Sequence, residues 1–162
     1  MAAGAATWSF TEGDFGAITQ SLERFLQESN ARCALLVDRT GQLIATVGEK
    51  PTFDPTAFAT LTAADFSAND QLAKLIGEKE FSSLFHQGER DSMYLADVAG
   101  RVILVVLFDS RTTLGLVRLK LKATVDELAK LFRAVFERGT TGQPAQPSVL
   151  AGADDEIDKL FK

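Results

Sequence analysis

Cysteine, histidine, tryptophan and tyrosine each occur once in this chain of 162 residues. A lone cysteine, Cys33, leaves no internal disulfide and no cysteine cluster for zinc. A lone histidine, His86, leaves any histidine-based dyad resting on one residue. Basic residues are short as well, with 17 Lys and Arg against 22 Asp and Glu and a net charge of -5. Sequence-independent nucleic-acid binding needs a basic face, and so does docking on an anionic membrane; both are disfavoured. No apolar run approaches the roughly 20 residues of a membrane span. The opening MAAGAATWSF lacks a basic stretch followed by an apolar one, so it does not read as a signal peptide. A cytoplasmic protein is the simplest expectation.

Nucleotide-binding motifs are missing too. There is no G-x-x-x-x-G-K-[ST] loop and no G-x-G-x-x-G fingerprint. Gly48-Glu49-Lys50 and Gly77-Glu78-Lys79 lack the leading glycine and read as turns. His86 reads as a structural or rim residue, and Cys33, opening an apolar strand, as an inert buried thiol. Asp38 and Asp109 end strands and suit turns. No catalytic constellation can be assembled, no cofactor or metal is expected, and the chain is not expected to be an enzyme.

What is present is ample core. The 46% apolar and 24% charged residues are ordinary for one globular domain. Residues 1–9 are small or featureless and are expected to be disordered. Phe15, Ile18, Leu22, Phe25 and Leu26 fall at helical spacing behind Thr11 or Ser9 as caps, ending near Asn30. Residues 33–37 and 43–47 flank an Asp38–Gly41 turn, a β-hairpin signal. Asp54-Pro55 opens a second helix, with Asp as cap and Pro at the first position, and Gly77 stops it. Phe58, Leu61, Ala68, Leu72 and Ile76 trace its apolar stripe; Ala57, Ala63, Ala64 and Ser67 make its other surface small.

Three strands are expected at residues 81–87, 92–98 and 101–108. The last, RVILVVLF, has seven apolar residues in a row and no alternation, so both of its faces should be buried. Thr112 or Ser110 then caps a long helix carrying Leu114, Val117, Leu121, Val125, Leu128, Phe132 and Val135, ending at Gly139. The order α-β-β-α-β-β-β-α describes an α+β layered domain over residues 10–139, with a five-stranded, mostly antiparallel sheet. Residues 140–153 carry no charge and two prolines and read as a flexible linker. At its end, residues 154–162 place Ile157, Leu160 and Phe161 at i, i+3 and i+4 behind Asp154 and Asp155, a nascent helical turn suited to binding a partner.

The stretches LVDRTGQLIA, LTAADFSANDQLAKLIGEKEF, FHQGERDSMY and RVILVVLFDSRTTLGLVRLKLK, in this order, resemble the MglB family of bacterial Roadblock-domain proteins. Those proteins regulate the Ras-like polarity GTPase MglA, and the resemblance runs from about Phe15 to Arg138. It implies a homodimer joined through the third strand, with Leu84, Phe85 and His86 at the dimer edge and the second helices side by side. It also implies a GTPase-binding platform including Ala63, Ala64, Ser67, Ala68 and Gln71. Ala57, Ala64 and Ala68 would then meet the dimer mate while Ala63, Ser67 and Gln71 face outward. The implied activity is acceleration of GTP hydrolysis by an MglA-like GTPase in its GTP-bound form, two protomers per GTPase, in control of polarity and motility. It proceeds without an arginine finger, although Arg90, Arg101 and Arg111 are the residues that could supply one. The tail residues Ile157, Leu160 and Phe161 are implied to contact the GTPase and to modulate nucleotide exchange. A Roadblock scaffold that binds a GTPase without changing its turnover is the alternative. Enrichment at a cell pole is the implied location.

Overall fold

The computed structural model describes residues 10–141, and the expectations for residues 1–9 and for the tail with Ile157, Leu160 and Phe161 lie outside them. Phe10–Arg133 form one compact unit; the second unit enters the described residues only as the last turns of the third helix, from Ala134. The elements run α1 (Glu12–Ser29), β1 (Cys33–Asp38), β2 (Leu43–Gly48), α2 (Pro55–Leu75), β3 (Ser83–Gln87), β4 (Ser92–Val98), β5 (Val102–Phe108) and α3 (Leu114–Thr141). This is the expected order. All neighbouring strands pair antiparallel, in the order β2-β1-β5-β4-β3.

The apolar run of β5 lies at the centre of the sheet, which accounts for its missing alternation: helices cover both of its faces. On one face α2 packs Ala59 and Phe66 against Cys33, Leu35, Val37, Leu95, Ile103 and Val105. The register turns Ala34, Leu36, Tyr94, Ala96, Leu104 and Val106 to the opposite face. There α1 buries Ile18, Leu22 and Phe25, and α3 buries Val117, Leu121, Leu128 and Phe132. Phe10 packs edge-on to Phe132, and Arg24 reaches Glu127 at 3.2 Å, joining α1 to α3.

Local signals hold at most boundaries. Thr11 and Asp14 form a capping box on α1, and Asn30 closes that helix in the left-handed region at φ 60°. Asp54 caps α2 through the Thr56 amide. Past its end, Gly77 at φ +86° donates to the Lys74 carbonyl while the Glu78 amide reaches Ala73, a Schellman closure. The β1–β2 turn is closed by Gly41 donating to the Asp38 carbonyl.

Two expectations about α3 are corrected. Its cap is Thr113, whose Oγ1 accepts from the Leu116 amide at 3.1 Å, and not Thr112 or Ser110. The reason is the preceding turn: the Thr112 and Arg111 amides donate to the Asp109 carbonyl and carboxylate, so the helix starts one residue later. The helix also runs past Gly139 to Thr141. A single glycine costs about 1 kcal/mol in a helix and does not by itself end one.

Candidate functional site

The second helix turns its three leucines, Leu61, Leu72 and Leu75, away from the core. Its buried residues are Ala59, Thr62, Ala63, Phe66, Asn69 and Ala73, one face at helical spacing. Small side chains let the helix axis approach the sheet, and Phe66, with Phe58 packed beside the same core, fills the remaining depth. The hairpin turn is equally close: a Cβ on Gly41 would sit 3.3 Å from the Thr60 Cα. On the opposite side Ala57, Leu61, Ala64, Ala68, Leu72 and Leu75 form a continuous exposed stripe, with Leu61 70% and Leu75 81% exposed. The stripe traced by Phe58, Leu61, Ala68, Leu72 and Ile76 is real, but only Phe58 of it is part of the packed face. Ile76, just past the helix, is 71% exposed and extends the outer surface.

Of the implied platform residues, Ala64, Ser67, Ala68 and Gln71 are exposed. Ala63 is not, being 8% exposed on the sheet-facing side, so an outward role for it is corrected. Its position one residue before Ala64 rotates it about 100° around the helix, enough to exchange solvent for core.

Beside this stripe runs β3, the edge strand next to β4. Its pairing directs Leu84 and His86 to the α2 face and Phe85 to the other, where Phe85 stacks on Phe108 at 6.1 Å between centroids. His86 bridges strand and helix: its Nε2 lies 2.6 Å from Asp65 Oδ2. The outer backbone of β3 pairs with no described strand, and its Leu84 and Phe85 are half-buried. An edge of this kind invites another strand.

A partly buried charge cluster holds α2 in place. Arg39, after β1, donates to Asp70 of α2 at 2.6 Å and to Asp97 of β4, with its guanidinium 4.9 Å from the Phe66 ring centroid. The pattern of the sequence carries no sign of it, because the partners stand 31 and 58 residues from Arg39.

At the end of the sheet where β1 starts and β5 stops, a second charge cluster engages one of the arginines considered as a finger. Arg111 pairs with Asp109 at 3.0 Å and with Glu49 at 3.0 Å, and its carbonyl accepts from Asn30. Arg32 pairs with Glu49 and Asp91. Hydrogen bonds from Arg32 and then Arg111 hold the Glu49 carboxyl below its ordinary range, and Arg111 does the same for Asp109. Cys33 is buried as expected, and burial pushes its thiol up to about 11. Among the described residues no group of three or more His, Cys, Asp or Glu could hold a metal ion, and no helix is long and apolar enough to cross a membrane.

The unit is thus a small α+β domain that presents an exposed apolar helix face beside an open strand edge. Residues 18–108, more than half of the chain, match the model of the Roadblock/LC7 domain. The chain is 48% identical to Myxococcus xanthus MglB, covering 74% of this chain and 98% of that one, with a TM-score of 0.71. The chain belongs to the Roadblock/LC7 family, among the MglB proteins. The gliding protein MglB of Thermus thermophilus is 34% identical over 76% of this chain and 94% of that one, at a TM-score of 0.71. An MglB solved in a tetrameric arrangement is 33% identical over 79% of this chain and 96% of that one, at 0.74. Family membership accounts for the three helices and the five-stranded open sheet, and it marks the protein as kin to regulatory rather than catalytic domains.

Proposed function

We propose that this MglB-family protein is a homodimeric activator of GTP hydrolysis by an MglA-like small GTPase. The observation that carries the reading is the exposed stripe Leu61–Ala64–Ala68–Leu72–Leu75 beside the open β3 edge. Pairing two β3 strands through Leu84, Phe85 and His86 brings two α2 helices together as one platform. Ala64, Ser67, Ala68 and Gln71 then serve the platform, with the GTP-bound GTPase seated near the two-fold axis. One GTPase on that axis blocks the equivalent site, so two protomers serve each.

Activation works by preference rather than supplied chemistry. The dimer binds the hydrolysis-competent arrangement of the GTPase's own residues more tightly than the alternatives, and so shifts its population. The engagement of Arg111 by Asp109 and Glu49 supports a mechanism without an arginine finger. No cofactor is needed. The tail, through Ile157, Leu160 and Phe161, contacts the GTPase away from the platform and promotes exchange, and the complex works in the cytoplasm near a cell pole to control polarity and motility.

The test is a titration of the GTP-loaded cognate GTPase with this protein, following phosphate release. Turnover rises with added protein, saturates near two protomers per GTPase, and persists when Arg90, Arg101 and Arg111 are each changed to Ala. Flat turnover across the titration with intact binding makes the protein a scaffold and ends the activator reading.

A further inference from the structure

Between α3 and the β3–β4 pair, beside the sheet face to which Tyr94 and Ala96 turn, lies a cavity of about 320 Å³. All of its lining residues belong to the Phe10–Arg133 unit. Ala96, Leu121 and Val125 make part of the wall apolar. The polar part combines three hydroxyl residues, Ser82, Ser83 and Tyr94, with two cations, Arg118 and Lys122. The cations stand one turn apart on α3 and both are exposed. Their charge is local: residues 110–125 hold no acid, in a chain whose net charge is -5.

Tyr94 is the telling member. It is only 8% exposed, yet its hydroxyl has no hydrogen-bond partner among the described residues. A buried tyrosine hydroxyl ordinarily finds one. This hydroxyl is not sealed from solvent, and the cavity that Tyr94 lines is where a partner can reach it. The side chains of Ser82, Ser83, Arg118 and Lys122 likewise have no partner among the described residues. Of the two acids in the wall, Asp97 is held by Arg39 and the Gly100 amide, which leaves Asp126 to face a ligand.

We propose that this cavity binds a small phosphomonoester. Its phosphate sits against Arg118 and Lys122 and accepts hydrogen bonds from the hydroxyls of Ser82, Ser83 and Tyr94. A carboxylate offers two oxygens and one charge; a phosphate offers three free oxygens and nearly two charges, which matches two cations and three donors better. The volume exceeds what a bare phosphate fills and reaches the roughly 300 Å³ at which small-molecule sites begin. The organic part therefore lies along Leu121 and Val125, and Asp126 accepts from a hydroxyl or amino group on it. The exposed stripe of α2 is on the other side of the sheet, so the site stands apart from the activator reading.

The experiment titrates the full chain, labelled with nitrogen-15 and without GTPase, at constant ionic strength. The probes are glycerol 3-phosphate, O-phosphoethanolamine and inorganic phosphate, with glycerol and ethanolamine as controls. Both monoesters are expected to shift the amide resonances of Ser82, Ser83, Tyr94 and residues 118–126 saturably and at lower concentration than inorganic phosphate. The controls are expected to leave those resonances in place. Arg118→Gln/Lys122→Gln should abolish the shifts, and Tyr94→Phe should weaken binding about tenfold, as loss of one hydrogen bond to a charged group does. Asp126→Ala should bring the monoesters down to the affinity of inorganic phosphate. Absence of saturable shifts with either monoester overturns the site, as do shifts that survive Arg118→Gln/Lys122→Gln. Inorganic phosphate binding as tightly as both monoesters overturns the ligand class. Should Tyr94→Phe fail to fold, as circular dichroism reports, the exposed Arg118 and Lys122 pair still decides.

Discussion

In α3 the large apolar side chains Val117, Leu121, Leu128 and Phe132 turn to the sheet, whereas in α2 Leu61, Leu72 and Leu75 turn away from it. Both helices show apolar residues at 3-4 spacing, and both cover one face of the same sheet. Spacing identifies a stripe; it does not say what the stripe meets. In α3 the two sides differ plainly, since the outer side carries Arg118, Lys122 and Lys130. In α2 both sides are apolar, one small and one large, and the small side won the sheet. Ala59, Ala63 and Ala73 allow a close approach that leucines would prevent, and dense packing rewards it. The leucines left in water form an exposed apolar stripe, the surface on which the proposed dimer and platform rest.

Truncating the inward residues tests this contrast most strongly. Phe66→Ala and Phe132→Ala should each cost about 3–5 kcal/mol in chemical denaturation. A loss from Phe66→Ala well below that of Phe132→Ala would mean that α2 rests on the sheet loosely. The helix starts come next. Asp54→Ala on α2 and Thr113→Ala on α3 should each cost about 1 kcal/mol, while Thr112→Ala, one position off the cap, leaves the α3 start intact by the same measurement.

Acid should have a smaller effect. Glu49 and Asp109 have depressed carboxyl pKa values in the folded chain. Their stabilising contribution is therefore complete above the ordinary carboxylate value of about 4 and is lost as pH falls through the folded values. Thermal melts from pH 6 down to 2 should show that loss, and Arg32→Ala should reduce it. Smallest in stability is the outer stripe: Leu61→Ser, Leu72→Ser and Leu75→Ser should each change monomer stability by no more than about 0.5 kcal/mol. If the proposed dimer forms, sedimentation should nonetheless shift the triple variant from dimer to monomer. A triple variant that melts several degrees earlier as a monomer would place these leucines in the core after all.

Much of the architecture was legible because its signals are local. Asp54-Pro55 starts α2, Gly77 ends it through a positive φ, and Gly41 closes the first hairpin, each within a few residues of its hydrogen-bond partners. The unbroken apolar run of β5 announced a strand covered on both sides. The exposure of α2 residues was legible only in part. Ala64, Ser67, Ala68 and Gln71 reach the surface, but Ala63 does not, because one residue of rotation decides between solvent and sheet.

The identities and order of the elements, the turns and the stops of α1 and α2 follow from the sequence by itself, since backbone conformation and capping depend on neighbours along the chain. Only the tertiary structure decided which face of α2 packs and that Arg39 ties Asp70 to Asp97. Those outcomes depend on how closely distant segments approach, and a helix with two apolar faces leaves that choice to the shape of the sheet beneath it.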